Sequence, residues 1–415
     1  MKVLVVGGGG REHCLAWKLA QSERVSQLYC APGNAGTAQL GQNLPFEATQ
    51  LDELLSFARS EGIDLTVVGP ERPLADGIVD RFSAAGLRIF GPTAAAARIE
   101  ADKAYAKQLM RQQAIPTAEA RIFHQYRDAR AYVASRDQAV VVKAAGLAEG
   151  KGAFVCDEPA EGLLVLERLM KHRIFGPAGE VVVVEEKLVG QEVSILAFVD
   201  GRTIYVMESS QDHKPIGEQD TGPNTGGMGA YSPTPMVSEA LMGQIEREIL
   251  VPIVDALNRD ASTYRGVLYA GLMLTAAGPK VLEFNCRFGD PETQPILMRL
   301  HSDLLEPIEA VIDGQLDRVT LQWDARPAVC VVMASGGYPG PYEKGKVIAG
   351  LDRVAAMPDV MVFHAGTAVR EGRVVTSGGR VLGVTALGSD IAQARQRAYE
   401  AVEMIHFDKA YWRRD

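Results

Sequence analysis

Hydrophobic and polar positions in the first hundred residues alternate between short apolar runs and longer stretches with helical spacing. The runs VLVV at 3–6 and LTVVG at 65–69 predict strands, and REHCLAWKLAQS at 11–22 predicts an amphipathic helix. This alternation is typical of an open parallel α/β sheet, which binds ligands at the carboxyl ends of its strands. The same pattern predicts strands at 26–32 and 88–92 and helices at 52–60 and 74–85.

Beyond residue 93 the pattern predicts three further units. Residues 94–113 have the spacing of one helix, which ends before Pro116. Apolar runs then predict strands at 139–145, 180–188, 194–200, 203–209, 267–275, 280–288, 328–334, 360–366 and 381–388, with a last helix over 390–405. We expect an N-terminal open parallel α/β domain (1–115), a small subdomain with a glycine-rich loop (116–190), a central domain (191–326) and an α+β C-terminal domain (327–415).

One long segment has almost no apolar positions. QDHKPIGEQDTGPNTGGMGAYSP, residues 211–233, contains five glycines and six ionisable side chains. Glycine and proline at this density predict a loop, and a loop of this length inside a compact domain is functional or disordered. Disorder and closure around a ligand both stay open from this segment alone.

Composition and charge exclude some classes of protein. The net charge of −9 argues against a sequence-independent nucleic-acid binder. No apolar run is long enough to span a bilayer and the start has no signal peptide, so we expect a cytoplasmic protein that does not contact membranes. The five cysteines are scattered without a CxxC pair, which predicts reduced, buried thiols.

The stretch KVLEFNCRFGDPE, residues 280–292, carries the most specific chemistry. On a strand, Glu283, Asn285 and Arg287 share one face, and Phe284 and Cys286 share the other. A carboxylate and an amide oxygen suit a hard cation, Mg²⁺ or Mn²⁺, and an adjacent arginine could stabilise a transferring phosphoryl group. The alternative is an exposed strand face with a surface ion pair.

Two further stretches have the chemistry of a nucleotide site. Lys143 ends a strand and precedes a glycine-rich loop with Gly150 and Gly152, which predicts a mobile flap over phosphates rather than a Walker A loop. A solvated turn is the alternative. In VVVVEEKLVGQE a buried strand ends at Glu185 and Glu186, where adenine could bind the backbone, although an ordinary strand end has the same pattern.

The N-terminal GGGGREH follows a strand and opens a helix, as in a dinucleotide fingerprint. Arg11 stands where small residues are usual, which suits a monophosphate better than a pyrophosphate. The fingerprint pattern itself leaves an NAD-dependent dehydrogenase built on this domain as an open alternative.

Together, GGGGREHCLAWKLAQS, KAAGLAEGKG, SQDHKPIGEQDTGPNTGGMGAYSPTP, EFNCRFGDPETQ and GGRVLGVTALG resemble the glycinamide ribonucleotide synthetases of the ATP-grasp superfamily. The resemblance extends from residue 7 to 388. It implies a central ATP-grasp domain with a flap subdomain, and a reaction that joins glycine to 5-phosphoribosylamine with ATP in purine synthesis. It also implies a monomer. Another ATP-grasp ligase and a non-catalytic nucleotide-binding protein stay open.

The same resemblance implies a role for particular residues. Lys143 and Arg287 would be catalytic, with Arg287 facing a glycyl phosphate, and Glu283 and Asn285 would bind Mg²⁺ or Mn²⁺. The expected ATP contacts are Lys103, Lys143, Gly150, Lys151, Gly152, Glu185, Glu186, Leu188 and Glu192. The expected substrate contacts are Gly8, Gly9, Gly10, Arg11, Asp212, His213, Lys214, Asn224, Arg287 and Gly289.

Two positions depart from the pattern of the family. Ala145 stands where many relatives have aspartate or serine, so a side-chain hydrogen bond that could tether the flap is absent. The strand VLYAGLML, which precedes the expected metal ligands, has no carboxylate. We therefore expect phosphates, water or a distant residue to complete the metal shell.

Overall fold

A computed structural model describes residues 1–148, 150–260 and 263–415. Its N-terminal domain is a parallel sheet with strand order β3-β2-β1-β4-β5, as the sequence predicted. The side chains of residues 3–6 are fully buried, because helices cover both faces of the central strand. The elements are β1 (Lys2–Gly7), α1 (Gly10–Leu19), β2 (Gln27–Pro32), β3 (Gln42–Asn43), α2 (Leu51–Glu61), β4 (Leu65–Val68), α3 (Glu71–Ala75), α4 (Ile78–Ala84) and β5 (Ile89–Phe90).

Two predicted helices are each divided in the structure. The helix expected at 74–85 is α3 and α4, separated at Gly77, whose φ of 85° lies in the left-handed region. The helix expected at 94–113 is α5 (Ala94–Ala101) and α6 (Lys103–Gln112). Asp102 ends the first and caps the second, since its carboxylate accepts a hydrogen bond from the Tyr105 N–H at 3.0 Å.

The small subdomain is an antiparallel sheet of order β6-β9-β7-β8, with two helices packed on it. Valines and alanines from the sheet and from both helices form its own core. Its elements are β6 (Ala120–Phe123), α7 (Tyr126–Ala134), β7 (Val140–Ala144), β8 (Ala153–Cys156), α8 (Pro159–Leu166) and β9 (Val182–Glu186).

The central sheet has the order β11-β10-β16-β17, where β10 is Gln191–Val199, β11 is Ile204–Val206, β16 is Gly266–Thr275 and β17 is Gly278–Asn285. Gly271 pairs with Glu283 but Leu272 pairs with Val281, which leaves Leu282 as the extra residue of a bulge. The helices of this region are α9 (Glu239–Ile245), α10 (Val251–Asp260), α11 (Thr293–Arg299) and α12 (Leu305–Asp313).

The segment 211–233 is ordered, so the alternative of a disordered tract is wrong. It contains β12 (Gln211–Asp212), β13 (Pro215–Gly217), β14 (Thr221–Asn224) and β15 (Gly229–Ser232). Strands β13 and β14 form a separate hairpin. Strands β12 and β15 instead join the sheet of the C-terminal domain, although they come from the stretch predicted as the central domain.

The sheet of the C-terminal domain has the order β12-β15-β18-β22-β19. A helix near the end of the chain packs on it, and the apolar spacing over 390–405 predicted this helix. The elements are β18 (Ala328–Ala334), α13 (Leu351–Ala355), β19 (Val360–His364), β20 (Thr367–Arg370), β21 (Arg373–Thr376), β22 (Arg380–Leu387) and α14 (Ile391–Met404).

In the described ranges, every helix is too short or too polar to cross a bilayer. All five cysteines are buried and none forms a disulfide, in agreement with the sequence.

Candidate functional site

Two neighbouring cavities lie where the sheets meet. The larger, of about 930 Å³, is lined by the small subdomain, the central sheet and the hairpin β13–β14. The smaller, of about 470 Å³, is lined by the turns that follow β1 and β2 and by the C-terminal domain. We call the first the large cavity and the second the glycine crevice.

The predicted strand face at the end of β17 lines the large cavity. Glu283, Asn285 and Arg287 face it, and Cys286 is buried on the other side in the core. The Arg287 guanidinium donates to the Asn285 side-chain oxygen at 3.3 Å. It also forms ion pairs with Glu71 at 3.2 Å and Glu100 at 2.8 Å, so the alternative of an exposed face with a surface ion pair does not apply.

Glu283 is held ionised. Burial would raise the pKa of its carboxyl, but nearby cations outweigh burial and lower that pKa to about 2. These cations are Lys214, Lys143, Lys103 and Arg287. An ionised carboxylate with an amide oxygen two residues away fits a hard divalent cation that takes its other ligands from phosphates and water. Within the described ranges, no group of three or more His, Cys, Asp or Glu residues could hold a metal. The protein would therefore supply few of the ligands.

A buried cluster of charges lies beside this strand. Lys143 extends from β7 and donates to the Leu282 carbonyl at 3.0 Å, which the bulge leaves outside the ladder. Glu185 on β9 accepts from Lys143 at 3.0 Å and lies 3.2 Å from the ammonium group of Lys107. Burial lowers the pKa of Lys107 to about 8, although Glu185 raises it in part. The sequence interpretation missed Lys107, which lies one helical turn beyond Lys103 on α6 and also lines the cavity.

The other residues predicted to bind ATP are divided between the cavities. Lys103, Gly150, Gly152, Leu188 and Glu192 line the large cavity, as do Lys143, Glu185 and Glu186. Lys151 lines the glycine crevice instead. The Glu186 carboxylate bonds the Glu119 N–H at 3.0 Å and lies 3.1 Å from Lys280, and these contacts lower its pKa. Its side chain is therefore already bound to protein groups.

Three of the four predicted residues of segment 211–233 face the large cavity: Asp212, Lys214 and Asn224. His213 lies between two of them on the other face and packs on Tyr231, with 6.1 Å between ring centroids. Burial and then Glu292 raise the pKa of Asp212 well above its usual range. Burial lowers the pKa of Lys214, but Glu192, at 3.1 Å, and the neighbouring Tyr269, Glu283 and Asp212 together outweigh burial and raise that pKa.

The glycine crevice is built from close backbone contacts. A Cβ at Gly8 would lie 2.6 Å from the Gly33 carbonyl oxygen, so a side chain there would collide with backbone. Gly8 and Gly9 line the crevice, and the Asn34 amide donates to the Gly8 carbonyl at 3.0 Å. Gly366 and Gly379 face them from the C-terminal domain.

Gly10, Arg11 and Gly289 were also predicted to contact the substrate but lie outside the crevice lining. Gly10 begins α1 and packs toward Gln294 and Asp290. Arg11 lines the large cavity, and its guanidinium donates to Glu12 and to the Phe288 carbonyl at 3.0 Å. Gly289 lines neither cavity and packs against Glu292.

Arg380 lines both cavities and was missed as a site residue. Its guanidinium donates to the carbonyls of Gly226 at 2.6 Å and Asp290 at 2.7 Å, and lies 3.4 Å from the Asp290 carboxylate. It therefore joins the segment 211–233 to the turn that follows β17. The signal in the sequence was the GGRVLG motif, where Arg380 is the one charged residue.

Comparison with known proteins covers nearly the whole chain. The N, ATP-grasp (A) and C domains of phosphoribosylglycinamide synthetase match residues 1–100, 101–293 and 328–415. A phosphoribosylamine–glycine ligase from Caldanaerobacter subterraneus is 50% identical over 415 residues, covering 100% of this chain and 99% of the relative. One from Rhodopirellula baltica is 51% identical over 420 residues, covering 100% and 96%.

Solved structures agree with these sequences. The crystal structure of a phosphoribosylamine–glycine ligase from Thermotoga maritima matches with a TM-score of 0.86 and 32% identity over 100% of both chains. The biotin carboxylase domain of the Hydrogenobacter thermophilus 2-oxoglutarate carboxylase, solved with MgADP, matches with a TM-score of 0.75 over 99% of this chain and 91% of that one. At 13% identity this second match shows the ATP-grasp fold alone. The chain belongs to the phosphoribosylglycinamide synthetase family and is a ligase of the ATP-grasp class, as its motifs predicted.

Proposed function

We propose that this protein joins glycine to 5-phosphoribosylamine, with ATP converted to ADP and phosphate, and so makes glycinamide ribonucleotide for purine synthesis. The observation that carries the proposal is the junction of the two cavities at Arg380. The large cavity, lined by lysines and carboxylates, would bind a nucleotide. It adjoins the glycine crevice, where the backbone could contact a phosphorylated sugar. The names of the full-length relatives support these substrates.

ATP would occupy the large cavity. Lys103, Lys143 and Lys107 supply positive charge for its phosphates. The strand end at Glu185, Glu186 and Leu188 would border adenine, and Glu192 would accept from the ribose once its contact with Lys214 is exchanged. In the flap, Gly150 and Gly152 let backbone approach phosphate. The other flap residue, Lys151, would contact the second substrate, because it lines the crevice.

Glu283 and Asn285 would hold Mg²⁺, or Mn²⁺ in its place, when the nucleotide binds. The cation, when bound, neutralises negative charge on the phosphates. Glu283 is prepared for this role because its low pKa keeps the carboxylate ionised throughout the neutral range. Arg287 holds the Asn285 side-chain oxygen in place through its own hydrogen bond.

The reaction would proceed in two displacements without a covalent enzyme intermediate. The glycine carboxylate attacks the γ-phosphorus of ATP, which forms glycyl phosphate and releases ADP. The amine of phosphoribosylamine then attacks the acyl carbon, which forms the amide and releases phosphate. Lys143 and Arg287 would stabilise the negative charge that develops on the phosphoryl oxygens, and the catalysis would rest on positioning and electrostatics.

Phosphoribosylamine would lie in the crevice, with its 5-phosphate near the backbone of Gly8, Gly9 and Gly10. Arg11 would act from behind this turn, because its guanidinium is already bonded to Glu12 and Phe288. Asp212, Lys214 and Asn224 would border the glycine and amine sites. His213 and Gly289 would act in the same region only through their backbone.

ADP release by the purified protein tests this function. The assay supplies Mg-ATP and glycine, with or without phosphoribosylamine generated in place from ribose 5-phosphate and ammonia. We expect ADP and a glycine-containing ribonucleotide only when both substrates are present. ADP formation with a different amine, or none with phosphoribosylamine, would overturn the proposed acceptor. Size-exclusion chromatography of the same sample tests the expected monomer.

A further inference from the structure

The hairpin formed by β13 and β14 covers part of the large cavity. Pro215, Asp220, Gly222 and Asn224 all belong to its lining. Among the described residues, the two strands pair only with each other, and every residue of β14 is exposed. A two-stranded hairpin has little stability of its own in water, so its position over the cavity depends on contacts from elsewhere.

Those contacts come from the last residues of the sequence, 411–415. The Tyr411 hydroxyl donates to the Ile216 carbonyl at 2.8 Å. Arg413 donates to the Pro215 carbonyl at 3.2 Å and to the Asp220 carboxylate at 2.8 Å. The Asp415 carboxylate accepts from the Gln219 N–H at 2.7 Å. Strand β13 and the turn that follows it are thus bonded to one short segment.

This segment is itself fixed to the C-terminal domain. Tyr411 exchanges two backbone hydrogen bonds with Ala334 at the end of β18, at 2.7 and 2.9 Å. Trp412 packs against the core of that domain, and the Tyr399 hydroxyl donates to the Arg413 carbonyl at 2.8 Å. The segment can therefore hold the hairpin against a rigid support.

Arg413 is the central member of these contacts. It is only 5% exposed, and it also donates twice to Asp415, at 2.9 and 2.7 Å. The hairpin turn contains Gln219 and Asp220 with φ of 56° and 54°, a region that side-chain-bearing residues rarely adopt. Such a conformation persists when its surroundings hold it, and Asp415 and Arg413 bond these same two residues.

We propose that residues 411–415 form a latch that holds the hairpin over the large cavity, with Arg413 as a positioning residue for the ligase reaction. This inference rests on the proposed function. Arg413 acts through the hairpin and not on the reacting atoms. When the latch opens, water reaches glycyl phosphate in place of the amine, cleaves its acyl–phosphate bond and returns glycine and phosphate, so that ATP is consumed without product.

Hydrogen exchange tests the latch without any assay of activity. We expect Arg413→Ala to speed amide exchange in residues 216–224 about tenfold or more, as for the loss of a buried charged hydrogen bond. Arg413→Lys keeps the charge and should restore part of the protection. The matched control is Arg414→Ala, since Arg414 is an exposed neighbour, and it should leave exchange unchanged. Equal protection in Arg413→Ala and the parent protein would overturn the latch.

If Arg413→Ala fails to fold, Asp220→Ala removes the same ion pair from the hairpin side, where the Asp220 side chain is 65% exposed. It should speed exchange in the same segment, and unchanged exchange would again overturn the latch.

The ratio of ADP to ribonucleotide product provides the second readout. We expect a ratio near one for the parent and for Arg414→Ala, and a clear rise for Arg413→Ala. A fall in rate with the ratio still at one would overturn the positioning role. A parent protein that makes no ribonucleotide would contradict the proposed function instead, and the exchange data would still test the latch.

Discussion

The large cavity and the glycine crevice share Arg380 but are built from different parts of the chain. Side chains define the large cavity, where Lys143, Lys107 and Glu185 are paired before any ligand arrives. Backbone defines the crevice, where glycines approach one another too closely for a Cβ. This difference implies that the large cavity recognises its ligand by charge, whereas the crevice recognises its ligand through backbone N–H groups that approach it closely. Substitutions that change charge and substitutions that add volume should therefore act on different substrates.

Loss of charge at Glu283 should have the largest effect. Glu283→Gln keeps the shape but removes the metal-binding carboxylate, and we expect kcat to fall about 10³-fold, as when a single stabilising group is lost from an active site. The pKa of Glu283 in the folded protein, about 2, lies below the ordinary 4.5. The ionised carboxylate therefore stabilises the native state above pH 4.5, and this stabilisation is lost as the pH falls toward 2. The variant should therefore also unfold at a lower temperature.

Steady-state rates at several Mg²⁺ concentrations and thermal unfolding measure both effects. Glu239→Gln, at an exposed position on α9, is the matched control. Full activity of Glu283→Gln with normal Mg²⁺ dependence would contradict the metal assignment.

Added volume in the crevice should have the next largest effect. Gly8→Ala places a methyl group against the Gly33 carbonyl, and we expect the KM for phosphoribosylamine to rise about tenfold, since about 1.4 kcal/mol of lost contact is enough. The KM for ATP should change little. Gly243→Ala, within α9, controls for the loss of a glycine. An equal rise in both KM values would contradict the inference that the two regions bind different substrates.

The pH dependence of ATP binding should show whether Lys107 contributes to binding in the large cavity. Lys107 has a pKa lowered to about 8, so its positive charge is lost as pH rises through 8. We expect ATP affinity to weaken between pH 7 and 9 in the parent protein and to depend less on pH in Lys107→Met. Calorimetric titration with ATP measures this, and Lys171→Met on the surface is the control. Identical pH profiles for all three proteins would remove Lys107 from the site.

A separate effect, on stability and not on a substrate, concerns the contact between the N-terminal and C-terminal domains. The His13 ring on α1 accepts a hydrogen bond from the backbone N–H of His364 at 2.7 Å. Burial lowers the pKa of His13 to about 3 and that of His364 to about 4. Because the unfolded chain binds protons near pH 6.5, native stability should fall as pH drops below 6.5, by up to about 1.4 kcal/mol per pH unit for each histidine. Thermal unfolding at pH 7 and 5 should show a smaller loss in His13→Asn than in the parent. An equal loss would assign the acid sensitivity to other groups.

Local patterns predicted much of this molecule. Alternation along β17 predicted the shared face of Glu283 and Asn285, because a strand has a period of two, and Arg287 continues this face two residues beyond the end of the strand. The same rule, applied to residues 212–214, would have separated His213 from Asp212 and Lys214, but the sequence was interpreted there as a loop without strands. The period of α6 could likewise have joined Lys107 to Lys103.

Contacts between distant segments could not be predicted in this way. Glu71 and Glu100 bind Arg287 from positions more than 180 residues earlier in the sequence, and no local pattern links them. The strand character of β12 and β15 depends on β18, which lies about 100 residues further on, and supplies the pairing that a glycine-rich segment lacks. Tertiary pairing decided the structure at these positions.

The path of the chain through the C-terminal sheet also has a consequence for how the protein is made. Because β12 and β15 emerge from the ribosome well before β18, they cannot complete their sheet until the later strands are synthesised. A fragment that begins at residue 328 would leave one side of β18 without its neighbour, as an open edge able to pair with other molecules. The sheet of the C-terminal domain is thus incomplete without β12 and β15. A fragment cut at residue 328 should therefore be prone to aggregation.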